Sequence, residues 1–233
     1  METGRHELTA DTEALQEQFR HVYWIGGGSG AGKSTIVRRI AAEHDLQLYA
    51  TDDVMLDHSR RSTPEGCPFL NQFMAMDMDE RWANRSPKAM LETFHWFRGE
   101  GFSMIIEDII RLPKRPGVIA EGFRLAPHLV KPLLAVVSHA VWLLPTPEFR
   151  QVVFVSRGGP EWRFLGKTSD PERALRNLLD RDAMFTHSTT VEFLPGRASE
   201  NPSKNACRQA TSSTLWLFCC TQNIVKRLLE HRL

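Results

Sequence analysis

Short continuous apolar runs alternate with longer stretches in which apolar residues recur at helical spacing. The runs predict strands at about 22–25, 46–50, 117–121, 139–143 and 191–194. The run at 117–121 is continuous, as in a parallel strand covered on both faces. Leu15 and Phe19 predict a helix over 11–20, and Ile36, Val37, Ile40 and Ala41 predict one from Lys33 to about His44. Residues 69–82 read as helical. Ser86 as N-cap and Pro87 in the first turn open a helix carrying Met90, Leu91, Phe94 and Phe97. Further helices are expected over 102–112, 127–135, 147–157 and, after the start Ser169-Asp170-Pro171-Glu172, over 173–185. Residues 54–70, punctuated by Pro64, Gly66 and Pro68, read as a loop. Strands separated by helices predict an α/β fold: a doubly wound, mainly parallel five-stranded sheet with helices on both faces and right-handed crossovers. Past Pro195 the apolar period stops, and residues 196–233 end in Leu215-Trp216-Leu217-Phe218-Cys219-Cys220 and a basic helical segment. The pattern leaves open whether that tail packs on the sheet. Residues 1–195 are expected to form one domain.

Between the first strand and its helix lies Gly27-Gly28-Ser29-Gly30-Ala31-Gly32-Lys33-Ser34, followed by Thr35. It fits the phosphate-loop pattern of Gly, four residues, Gly-Lys-Ser. Glycines let successive backbone N–H groups turn inward around a phosphate, where a Cβ would block the approach. The helix starting near Lys33 aims its positive end at the same anion. Lys33 is expected on the β- and γ-phosphates, with the Ser34 hydroxyl in the Mg²⁺ shell. Here the chain resembles the P-loop nucleotide-binding superfamily.

Three further constellations bear on the chemistry. Asp52 and Asp53 directly follow the second strand, and in open α/β sheets ligands sit beyond the carboxyl ends of strands. A carboxylate there can accept the proton of an acceptor hydroxyl, or hold Mg²⁺. Which of the two does so is left open. The run Val118-Ile119-Ala120-Glu121 ends an apolar strand in an acid, the Walker B arrangement. Glu121-Gly122-Phe123-Arg124 is similar to the Asp-Gly-Phe-Pro-Arg segment of adenylate kinase and its relatives, with Glu for Asp and without the Pro. The longer side chain favours a role for Glu121 on Mg²⁺ through water. Arg150, Arg157 and Arg163 follow the fourth strand, with Arg173, Arg176 and Arg181 beyond them. The resemblance implies a lid over about 150–170 that supplies arginines to the transferred phosphoryl group, Arg157 among them. It also implies an acceptor-binding insert over about 54–116. Arg60, Arg61, Arg81, Arg85 and Arg111 would there suit a carboxylate- or phosphate-bearing acceptor. Met74, Met76 and Met78, with Phe69, Phe73 and Trp82, read mainly as core, and His58 and His95 as structural.

Composition narrows the setting. Apolar residues make up 42% and charged residues 24%, which is globular rather than disordered. A net charge of +1 offers no global field for nucleic acid or an anionic membrane, so neither is an expected partner. The apolar run from Pro132 to Pro145 is broken by Ser138 and His139 and is too short to span a bilayer. Residues 1–20 lack the basic and apolar regions of a signal peptide. Cys67, Cys207, Cys219 and Cys220 show neither a disulfide framework nor metal-ligand spacing, so a cytoplasmic location is expected.

A GTPase switch would carry Asn-Lys-x-Asp and Asp-x-x-Gly, and the chain has neither. The expected activity is an ATP- and Mg²⁺-dependent kinase. It would move the γ-phosphate of ATP to a hydroxyl or phosphate of a small, anionic acceptor. The alternative is a regulatory or motor ATPase that hydrolyses ATP without such an acceptor.

Overall fold

The computed structural model describes the backbone of residues 3–193 and 216–218. In chain order the elements are α1 (Thr3–Gln18), β1 (Val22–Gly27), α2 (Lys33–Glu43), β2 (Gln47–Ala50), α3 (Met55–Arg61), α4 (Pro68–Ala75) and α5 (Pro87–Thr93). Then come α6 (Phe102–Arg111), β3 (Val118–Glu121), α7 (Pro127–Val130), β4 (Ala140–Leu143), α8 (Pro147–Ser156), α9 (Pro171–Phe193) and β5 (Trp216–Phe218). The sheet is parallel throughout. Four strands in the order β2-β3-β1-β4 form its body, and the three residues of β5 pair along the outer edge of β4.

The side-chain period of two sorts each strand onto two covered faces. Val22 and Trp24 of β1, Val118 and Ala120 of β3, and Ala140 and Trp142 of β4 point to one side. There they meet Phe19, Ile105 and Ile109 of α6, and Val130 of α7. Ile25, Ile119, Val141 and Leu143 point to the other side, against Val37 and Ile40 of α2. Helices therefore cover both faces, and this is why the strands read as continuous apolar runs. The buried Trp142 indole is satisfied by the Leu125 carbonyl at 2.7 Å. A third cluster joins the insert to α8 and α9 through Leu70, Trp82, Met90, Phe154, Leu175 and Leu178, with Phe123 against it.

From β1 the chain runs outward to β2, returns to β3, then passes β1 to reach β4. The direction of winding reverses beside β1, and the carboxyl end of β1 is where such a sheet leaves a crevice. Each strand gap carries one more backbone hydrogen bond at that end. Thr51 N donates to Glu121 O (2.9 Å), Gly122 N to Ile25 O (3.1 Å) and Gly28 N to Leu143 O (3.0 Å).

Two expectations are corrected. The fifth strand predicted at 191–194 is not there: residues 191–193 end the 23-residue helix α9, and Leu194 lies outside the described residues. A short apolar run does not by itself distinguish strand from helix. Here the buried Ala174, Leu178, Asp182 and Phe185 continue a helical face. Residues 54–70, expected as loop, contain α3. Its single buried residue is His58, so no apolar period announces it. The expected tail, 196–233, lies outside the described residues apart from β5. Among the described residues no helix is long and apolar enough to cross a membrane.

Gly122 is required at the end of β3. Its φ is +151°, and a Cβ there would overlap the Thr51 side chain. Gly122→Ala is therefore expected to cost about 3 kcal/mol or more. Gly159→Ala (φ +55°, with nothing near the added Cβ) should cost only about 1–2 kcal/mol. Urea unfolding of the two variants checks this, and equal small losses would contradict it.

Candidate functional site

The loop between β1 and α2 turns on glycines. At Gly27 φ is +118°, and a Cβ would meet the Leu143 backbone. At Gly32 φ is +78°, and a Cβ would meet nothing within 4 Å. Gly32 is also the N-cap of α2, and no side chain caps it. The first N–H groups of α2 thus lack a side-chain acceptor at an end that carries partial positive charge. Gly28, Gly30 and Ala31 are buried, Ser29 is half-buried, and Thr35 is exposed on the first turn. A loop of this form can hold an anion.

Lys33, the first residue of α2, folds back over the loop. Its Nζ donates to Gly28 O at 2.9 Å and to Gly27 O at 3.3 Å. Burial lowers the pKa of this ammonium. Glu121, Asp52 and Asp182 oppose that shift, while Arg157 adds to it. The next residue, Ser34, donates its hydroxyl to Glu121 Oε1 at 2.8 Å, tying the helix start to the end of β3. Glu121 is buried, and burial raises its pKa against the pull of Ser34 and Lys33.

Asp52 and Asp53 follow β2 and part ways. Burial raises the Asp52 carboxyl, with Lys33 the largest opposing influence, then Arg124 and Arg163 as further ones. Asp52 is nonetheless exposed over much of its surface. Of the two acids, Asp52 is the one whose charge acts on Lys33, and Asp53 raises the Asp52 carboxyl.

Two exposed arginines, Arg157 and Arg163, act on this group. Arg157, at the end of α8, lies 5.6 Å from the Trp162 ring, and Arg163 (φ +49°) lies 5.2 Å from the same ring. Arg157 acts on Lys33 and Arg163 on Asp52. Arg150, expected beside them, is buried instead. It donates to Thr186 Oγ1 at 2.6 Å and lies against Gly28 beneath the loop. Arg173 and Arg176 are exposed on α9 and take no part.

The arginines of the insert do not assemble. Arg81 donates to Met74 O at 2.7 Å and Arg85 to Ala89 O at 2.9 Å. Arg61 and Arg111 meet at Asp108, and Arg60 is exposed. Trp82 is buried, Phe73 and Met78 pack against the third cluster, and Met74 is open to solvent. His95 is buried among Phe73, Phe94 and Trp96, which pushes its pKa down to about 3.

Two further charges are buried, Arg124 of the Glu121-Gly122-Phe123-Arg124 segment and Asp182, which the sequence reading did not single out. Arg124 lies 4.1 Å from the Trp96 ring, donates to Gly101 O (3.1 Å) and Thr51 O (3.4 Å), and is lowered by burial to about 10. Asp182 accepts from Arg181 at 2.7 Å and acts on Lys33 and Arg150. The signal for Asp182 was present: it falls between Leu178 and Phe185 on the buried face of α9.

Among the described residues no group of three or more His, Cys, Asp or Glu could hold a metal. The Ser34 and Glu121 oxygens are the hard donors nearest the loop, a set that suits Mg²⁺ completed by other oxygens. Cys67 is buried and unpaired. Comparison with known proteins finds no family model that matches the chain and no curated protein that matches it.

The Glu121 pKa is raised in the fold, so its stabilising contribution belongs to the protonated form. That contribution is full below the ordinary value of 4.5 and is lost as pH rises through the raised one. Glu121→Gln keeps an acceptor for Ser34 and removes the buried charge. The variant should be at least as stable as wild type at pH 7, with a flatter dependence between pH 4 and 8. Urea midpoints over that range check this. A variant less stable at pH 7, with an unchanged slope, would contradict it.

Proposed function

We propose that this chain is an ATP- and Mg²⁺-dependent phosphotransferase of the P-loop kinase type. Its acceptor would be a hydroxyl or phosphate of a small, anionic molecule. The observation that carries the reading is the convergence of Lys33, the Ser34–Glu121 hydrogen bond and Asp52 around an uncapped helix start at one end of the sheet.

The residues present fit the groups this reading requires. The glycine loop offers backbone donors with no Cβ in the way, and Ser34 and Glu121 offer hard oxygens for Mg²⁺, Glu121 through water. ATP supplies the transferred phosphoryl group, and Mg²⁺ neutralises charge on the phosphates. Lys33 exchanges its bonds to the Gly27 and Gly28 carbonyls for phosphate oxygens, an exchange favoured because its buried ammonium lacks a direct anionic partner. Asp52 takes the proton of the acceptor hydroxyl, and its raised pKa makes it a better base than an ordinary Asp. Arg157 and Arg163, carried on the 157–163 segment around Trp162, add positive charge that acts on Lys33 and Asp52. A reducing, cytoplasmic setting belongs to the same reading, with the buried unpaired Cys67 as its support.

The test is ADP release by the purified protein, alone and against a panel of hydroxyl- and phosphate-bearing anionic metabolites. Slow release alone, strongly stimulated by one class of acceptor, is expected, because water is poorly positioned without the acceptor. Asp52→Asn should lower the stimulated rate about a hundred- to ten-thousand-fold and leave ATP affinity nearly unchanged. Lys33→Ala should abolish transfer with the fold intact. Vigorous turnover without an acceptor, unaffected by Asp52→Asn, would move the assignment to an ATPase.

A further inference from the structure

Asp52 sits on a turn just past the end of β2, its own backbone bonded only locally, to Met55. Thr51 is pinned by its N–H to Glu121 O and by its carbonyl to Arg124, but the chain from Asp52 to Asp57 has no strand pairing. Helix α3 follows at once, is seven residues long, has no side-chain N-cap, and buries only His58. Val54 packs against the sheet core and Met55 against the third cluster, and one carboxylate from across the structure ties the segment down at both ends. Asp108 of α6 accepts the Tyr49 hydroxyl at Oδ2, 2.8 Å away, and the same oxygen lies 2.7 Å from His58 Nε2. Tyr49 precedes the turn and His58 follows it. A single oxygen therefore closes the segment at both ends, with Asp52 between them.

The surroundings make this carboxylate hard to replace. Arg61 approaches the second oxygen, Oδ1, at 3.4 Å, and Arg111 stands 3.9 Å from it. The hydrogen bonds from His58 and Tyr49 hold the Asp108 carboxyl below the usual range despite its partial burial. Facing an ionised carboxylate, His58 Nε2 carries the proton. Its Nδ1 is buried without a partner, so the ring has no other bond to exchange for this one. Burial also lowers the pKa of the ring. Ile105 and Ile109 fix α6 against the sheet, so Asp108 hangs from one of the best-packed helices of the fold.

We propose that Asp108 is a positioning residue for the reaction, holding Asp52 at the carboxyl end of the sheet through Tyr49 and His58. The proposal rests on the reading of Asp52 as the proton acceptor. Tyr49, His58 and Asp108 touch no reacting atom. Their part is to keep the turn from swinging out to solvent, where Asp52 would face neither Lys33 nor an acceptor.

The test uses the full chain and two readouts that involve no turnover: amide hydrogen exchange along the chain, and the titration midpoint of the Asp52 carboxyl by NMR. Asp108→Ala is expected to speed exchange over residues 51–57 at least tenfold and bring the Asp52 midpoint back toward an ordinary Asp. Exchange over residues 27–36 and the ATP Kd by calorimetry should stay within twofold. Asp108→Asn, which keeps an oxygen for both donors, should restore most of the wild-type behaviour. Tyr49→Phe should give an intermediate change, and it decides the matter by the same readouts if Asp108→Ala does not fold. Unchanged exchange and midpoint in a folded variant, or loosening of residues 27–36 to the same extent, would overturn the proposal. Failure of the reading itself shows separately, as stimulated turnover that survives Asp52→Asn.

Discussion

Three backbone hydrogen bonds beyond the ends of the strands hold the site together, one across each gap of the sheet body. They run from Thr51 to Glu121, from Gly122 to Ile25 and from Gly28 to Leu143. Each extends a parallel ladder into the loop that follows it. The segments carrying Asp52, Glu121 and the glycine loop are thereby set at one level. Without them the four strands would still pack, since their cores are sealed by Phe19, α6 and α7 on one face and α2 on the other. The loops would then lose a common frame. Gly122 shows how tight this frame is, because its missing Cβ is what lets Thr51 lie against the end of β3.

Within that frame the protein keeps charges where a purely stable fold would not. Lys33, Glu121, Arg124, Arg150, Arg181 and Asp182 are all buried. Lys33 and Glu121 are both shifted toward neutrality by burial, and only the Arg181–Asp182 pair is closed by a direct ion pair. Buried charges that lack close partners cost stability, and they concentrate where a protein acts on a charged ligand. Here Lys33, Glu121 and Arg150 lie at the glycine loop or its helix start. Arg150 lies against Gly28 of the loop and Asp182 acts on Lys33, so α8 and α9 also shape the electrostatics of the site.

The frame was largely legible in the sequence, because its signals are local. Continuous apolar runs marked β1, β3 and β4, and the Gly-Lys-Ser pattern marked the start of α2 within a residue of its place. What escaped depends on contacts distant along the chain. Helix α3 has no apolar stripe, and its anchor is a carboxylate fifty residues away. Residues 191–193 look like a strand on their own, and are helical because α9 already has a buried face to extend. The insert arginines resembled a cluster in sequence, but each meets a nearby carbonyl or acid, apart from the exposed Arg60. Sequence left a pair of aspartates after β2 as candidates, and the influence on Lys33 separates Asp52 from Asp53.

The central claim is that the loop, Lys33 and the Ser34–Glu121 pair bind the phosphates of a Mg²⁺-bound nucleotide. Calorimetric titration of the wild-type chain with ATP, ADP and AMP, each with and without Mg²⁺, tests it most directly. If the phosphates dominate recognition, ATP and ADP bind far more tightly than AMP, and Mg²⁺ strengthens ATP binding. AMP binding as tightly as ATP, or no ATP binding at millimolar concentration with Mg²⁺ present, would contradict the account.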